Sequence, residues 1–307
     1  MRHFSLLLPL FLTASLACFG AVDQSLLALA PAGTKLVASI DVKSAGSSEF
    51  GQYLLRRVDS EDKGFQDFIQ QTGFDPRRDL ENLIFISTGA TDAGKDNRGV
   101  VLARGLFDTT RLRTMARGKG AAIESYQGTD LLINSRDKTA LAFPETGIAV
   151  LGDVETVRSV IAHRSNPIPL DPKLARQIEA VGSANDVWFV SPSGAQFLEH
   201  AGAQFQGAQA LQSILQSSGG IRFGETVRLS VDAITRSRQD ADSLAAVARF
   251  LRNMVQTQSQ NNPKMAILAS SLNGMDIQVD GSSVHLSLSM SEKSLEQMAQ
   301  IEPGRGH

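Results

Sequence analysis

The stretch from Ala121 to Leu151 limits the fold of this chain more than any other. It contains four short runs rich in apolar and β-branched residues: Ala121 to Tyr126, Asp130 to Asn134, Thr139 to Phe143 and Ile148 to Leu151. Only Gly128, the Arg136-Asp137 pair and Gly147 punctuate them. A parallel crossover needs a dozen or more connecting residues, so links this short require antiparallel neighbours joined by turns. A purely parallel, doubly wound sheet is therefore excluded, and the rest of the chain has to be compatible with antiparallel hairpins.

Around that stretch, strands and helices alternate. Leu36 to Val42 reads as a strand. Ser47 to Gln71 reads as a helix with Phe50, Tyr53, Leu54, Phe65, Phe68 and Ile69 near helical spacing, stopped by Gly73. Asn82 to Ser87 and Gly99 to Arg104 read as strands, and a helix from Thr109 to Arg117 follows its N-cap Asp108. A further helix opens at Asp153 with Val154, Val157, Val160 and Ile161 on one face. Asn166-Pro167-Ile168-Pro169 then breaks the chain and marks the best domain boundary.

The second half repeats the order. A strand from Asp186 to Ser191 precedes a helix from Gly194 to Gln216. Val227, Leu229, Val231 and Ala233 alternate with polar residues as a half-buried strand. Asp240 to Gln256 is a helix presenting Leu244, Val247, Leu251 and Met254. Met275 to Val279 and Val284 to Met290 form a hairpin about Asp280-Gly281, and Ser291 caps a last helix. The expectation is an α+β fold of two topologically similar halves, residues 21–165 and 166–302. Each is a mainly antiparallel sheet with helices packed on one face, and residues 303–307 form a tail.

The first twenty residues stand apart. Arg2 and His3 precede an apolar run from Phe4 to Phe19, and small residues then offer a cut before Ala21, the layout of a secretory leader. The run is broken by Pro9 and is short of the ~20 residues needed to span a bilayer, and no later stretch is long enough. Export to the periplasm or beyond is expected. Cys18 is the only cysteine of the 307 residues, so neither a disulfide framework nor a cysteine zinc site can be built. A second cut, before Cys18, would make that residue a candidate acylation site, although Ser15 replaces the leucine that such sites carry three residues upstream. Thirty basic against 32 acidic residues leave a net charge of −2 and remove the electrostatic case for a nucleic-acid partner.

The segments PAGTKLVASIDV, SSEFGQYLL, GFDPRRDL, VLARGLFD, YQGTDLL, IAVLGDVETVRSVIAHR and DGSSVHLSLSMSEKSLEQM span most of the mature chain. In them the protein resembles a group of uncharacterised exported bacterial proteins. The resemblance implies export and an α+β fold, and it supplies no catalytic residues.

Each candidate for chemistry has a plainer explanation. Gly89 to Lys95 has phosphate-loop spacing, but Asp96 stands where a magnesium-binding hydroxyl is needed. Asp92, Asp96 and Asn97 lack the spacing of a calcium loop. Ser60-x-x-Lys63 and Ser135-x-x-Lys138 have none of the companion elements of serine acylation. His163, His200 and His285 show no i, i+4 pairing for a metal. Asp75 and Asp79 in GFDPRRDL fit an N-cap with a local ion pair. The helix from Gly194 is nearly uncharged and carries Phe197, Gly202, Phe205 and Gly207, which makes it a candidate interaction face. No cofactor or metal site is expected. The leading expectation is a non-enzymatic binding module for a protein, peptide or small molecule. The alternative is a secreted hydrolase whose acid and base come from both halves, with carboxylates converging for example around Asp153 or Asp232.

Overall fold

The computed structural model describes residues 22–57, 63–90, 97–192, 208–259 and 263–299. Its centre is a twelve-stranded antiparallel sheet. The first half supplies β1 (Leu36–Asp41), β2 (Leu80–Ala90), β3 (Asn97–Gly105), β4 (Ala122–Tyr126), β5 (Thr129–Asn134), β6 (Thr139–Glu145) and β7 (Ile148–Asp153). The second half adds β8 (Val187–Ser191), β9 (Ile214–Arg222), β10 (Thr226–Thr235), β11 (Asp276–Asp280) and β12 (Ser283–Ser291). Their spatial order is β11-β12-β10-β9-β8-β1-β2-β3-β7-β6-β5-β4. The α+β class and the antiparallel pairing stand as expected. The halves, however, share one sheet, because β1 and β8 pair antiparallel with Val37 opposite Val190 and Ile40 opposite Val187. The strand order runs outward in the same way on both sides of that pair: a first strand, a hairpin, and then the last strand of the half laid beside the hairpin.

The helices are α1 (Gln24–Leu27), α2 (Val42–Ser47), α3 (Glu49–Arg57), α4 (Lys63–Thr72), α5 (Pro76–Asp79), α6 (Thr109–Gly118), α7 (Val154–His163) and α8 (Pro172–Gly182). They continue with α9 (Ala208–Leu211), α10 (Arg238–Ser259), α11 (Pro263–Leu272) and α12 (Glu292–Ala299). Aspartate opens α1, α2, α5, α6, α7 and α8, its carboxylate accepting from N–H groups that the first turn leaves unpaired.

Two helix expectations need correction. The helix read from Ser47 starts two residues later, at Glu49. The Ser48 hydroxyl donates to the Ala45 carbonyl at 2.8 Å and accepts from the Gly51 N–H at 2.9 Å, so it ends α2 and opens α3. Residues 58–62, between α3 and α4, lie outside the described residues. The helix from Gly194 also does not reach Gln216, because β9 begins at Ile214 and is paired on both sides, by β8 and β10. Leu215 is a strand residue 51 % exposed, while its neighbour Ile214 is buried. Pairing on both edges outweighs a local helical pattern here.

Register decides which face each residue takes. Val37, Ile84, Ile86, Val100, Leu102, Val150 and Val190 point to one face and meet α1, α7 and α8 in the larger core. Trp188 joins this core. On the other face, Ala233 and Val284 pack with Ala241, Leu244 and Ala245 of α10 in a second core. Successive residues alternate faces. The two cores therefore lie on opposite sides of one sheet, with α1, α7 and α8 over one and α10 over the other. The polar residues of β10 and β12, among them Ser230, Asp232, His285 and Ser287, point away from the second core.

Candidate functional site

Among the described residues, the centre of the second face carries no packed core. Across the strands it presents a row formed by Val101, Phe85, Ala38, Phe189, Gly219 and Val231, each opposite the next in register. Two residues along the strands lies a second row: Leu83, Ile40, Val187, Ile221 and Leu229. These rows floor a cavity of about 430 Å³, within the range of small-molecule sites. At one end, α6 covers this face, with Arg113 paired to Asp130 of β5 at 3.1 Å. There Phe107 stacks between Phe74 and Phe143 at centroid distances of 5.2 and 5.6 Å. At the other end, α10 lies over β10, β11 and β12.

The chemistry of the lining is uniform. None of its fourteen residues is charged. Ser39, Trp188, Gly220 and Ser230 belong to the opposite face by register, so they offer main chain to the cavity. That main chain is already engaged, because β2, β1, β8 and β9 each have a paired neighbour on both sides. Ile40 and Phe85 are each 40 % exposed, an unusual state for large apolar side chains in the middle of a sheet.

The carboxylates singled out from sequence do not meet. Asp153 N-caps α7 by accepting from the Thr156 N–H at 2.9 Å. Asp232 lies on β10, six strand spacings or about 29 Å away, and pairs with His285 Nδ1 at 2.7 Å on the open polar face. The structure thus does not bring these two carboxylates together. His163 sits at the end of α7 against the Ser159 carbonyl.

GFDPRRDL is a cap. Asp75 accepts from the Arg77 N–H at 3.0 Å, and the Arg77 guanidinium grips the same carboxylate. Asp79 is buried and held by Arg78. The hydrogen bond from Arg77 is the main reason that the Asp75 carboxyl titrates below its ordinary range, and Arg78 does the same for Asp79. Asp23 is pulled both ways. Burial raises it, but the hydrogen bonds from Arg104, Ser25 and the Leu26 N–H outweigh burial and lower it.

Among the described residues, no group of three or more His, Cys, Asp or Glu is placed to hold a metal ion, and no helix is long and apolar enough to cross a membrane. Cys18, Phe197, Gly202, Phe205, Gly207 and His200 lie outside the described residues, as do Ser60 and residues 91–96 of the glycine-rich loop.

Fold and cavity together define an α+β protein built on one antiparallel sheet with an apolar groove across its middle. Crystal form III of TP0453 is similar, with a TM-score of 0.53 at 10% identity over 90% of this chain and 98% of that one. Crystal form IV of TP0453 gives 0.51 at 9% identity over 89% and 95%. At that identity the likeness is one of fold. No family model matches the chain, and no curated protein does.

Proposed function

We propose that this chain is an exported binding protein whose sheet groove holds an uncharged hydrocarbon ligand. The observation that carries the reading is the groove floor, which is apolar, free of charge and made from strands whose backbone is already paired. A peptide would bring an N–H and a C=O per residue and leave them unmatched, at about 1–3 kcal/mol each. A hydrocarbon chain brings none, and each methylene buried gains about 0.8 kcal/mol. The leader-like first twenty residues support export, and binding is favoured over hydrolysis because Asp153 caps α7 and Asp232 pairs with His285 on the face opposite the groove.

The test is titration of residues 21–307 with N-phenyl-1-naphthylamine, an uncharged fluorophore that brightens in apolar surroundings. Saturable, blue-shifted binding near one equivalent is expected. It should fall at least tenfold in Ile40→Asp and Phe85→Asp, whose side chains are exposed enough for the fold to tolerate a charge. Absence of saturable binding, or equal binding in both variants, would refute the reading.

A further inference from the structure

Resting on that reading, we infer that the ligand is a single linear chain lying across the strands, and that Ala38 sets the depth of its channel. The floor is six strands long, from β3 to β10, or about 24 Å at about 4.8 Å per strand. It is only two rows wide along the strands, about 7 Å. That outline fits an extended chain laid at right angles to the strands. A rigid fused-ring molecule would rest on the Phe85 and Phe189 rings and could not follow the floor down to Ala38 between them.

The depth follows from two matched contacts. A methyl group added at Gly99 would meet the Phe85 ring at 3.0 Å, and one added at Gly219 would meet the Phe189 ring at 3.0 Å. Each phenylalanine therefore leans over a glycine on the neighbouring strand, β3 on one side and β9 on the other. Both rings lean away from β1, which lies between them. Ala38 stands directly opposite both phenylalanines, Phe85 on β2 and Phe189 on β8. Its single methyl is the low point of the floor, at the middle of the long axis. The lining carries no charge to either side of it, so charge complementarity requires an uncharged middle portion in whatever crosses this point.

A large residue here would divide the channel in two without entering the core, because Ala38 points away from Val37 and the buried face. The test is competition of 1-hexadecanol, 1-decanol and cholesterol against bound N-phenyl-1-naphthylamine in the wild type, Ala38→Leu and Ala38→Phe. Thermal melting confirms that each variant is folded. In the wild type, hexadecanol should displace the fluorophore more tightly than decanol, and cholesterol should fail to compete. In Ala38→Phe, hexadecanol should weaken at least tenfold while decanol, lying to one side, stays within about threefold. Ala38→Leu should fall between, and it decides the matter alone if the phenylalanine variant does not fold. If cholesterol competes as well as hexadecanol, the linear chain is wrong. If the Ala38 variants weaken both alcohols equally, or neither, the channel does not pass over this residue. Both outcomes leave the groove reading standing. Failure of the wild type to bind the fluorophore at all refutes that reading and this one together.

Discussion

Leu26 offers the sharpest test of how this fold is closed. It is the sixth residue after the expected cut, in a helix of a single turn, yet it is 0 % exposed and belongs to the larger core with Leu27, Leu29 and Ala30. One helical turn has no stability of its own in water, so its place depends on that burial and on its anchor. The anchor is Asp23, which caps the turn through the Ser25 and Leu26 N–H groups and takes the Arg104 guanidinium from β3. Leu26→Ala removes three carbon groups at about 0.8 kcal/mol each, or about 2.4 kcal/mol of transfer energy. The cavity left among rigid strands raises the expected loss to about 3–4 kcal/mol. The assay is urea unfolding of residues 21–307. With a slope near 3 kcal/mol/M, the upper end for a small domain, the midpoint should drop by about 1 M with the slope unchanged. Leu106→Ala, at 68 % exposure, is the control and should move it by less than a quarter of that. A Leu26→Ala midpoint within the control's range would show that α1 and its flanking residues are not part of the core.

Two further outcomes follow from the carboxylates. Asp79 titrates below its ordinary value of 3.8 in the folded chain, so its contribution is present above that value and is lost as pH falls through the lowered one. The stability gap between wild type and Asp79→Asn, read by urea midpoints from pH 7 to pH 2.5, should be constant above about pH 5 and close in acid; a gap that widens in acid would reverse the assignment. Asp153→Ala should cost about 1 kcal/mol through loss of the α7 cap, and Asp153→Asn should recover most of it. Equal losses in the two variants would point to a role for the charge that the cap does not explain.

The parts of this fold that sequence disclosed are those governed by short range. The strands from Ala121 to Leu151, the β11–β12 hairpin and the aspartate caps all rest on turn length, alternation and side-chain reach, and each stands in the structure. The short helix α1 and the helices α8 and α11 were not legible. One is a single turn, and the others sit among prolines and small residues whose helical state depends on what they pack against. The union of the halves through β1 and β8 depends on pairing across some 150 residues, which no local pattern records.

The groove did leave a trace. In β10, apolar Val227, Leu229 and Val231 alternate with Arg228, Ser230 and Asp232, the pattern of a strand with one dry face and one wet face. In β2 and β8 the alternation is lost: Leu83-Ile84-Phe85-Ile86 and Val187-Trp188-Phe189-Val190 are apolar at both parities. Such a strand needs a dry environment on each side. In the structure one parity of each run is buried under α1, α7 and α8, while the other includes Phe85, which keeps 40 % of its surface. Covering helices would have to supply a second core over these residues, and among the described elements they reach this face only towards its two ends, α6 over β5 and α10 from β10 outward. An apolar floor of this kind is stabilised by whatever comes to lie on it. The same runs that lie at the centre of the shared sheet therefore also define the proposed binding surface, and a variant that restores alternation there, Phe85→Asp, should lose the proposed ligand while leaving the larger core intact.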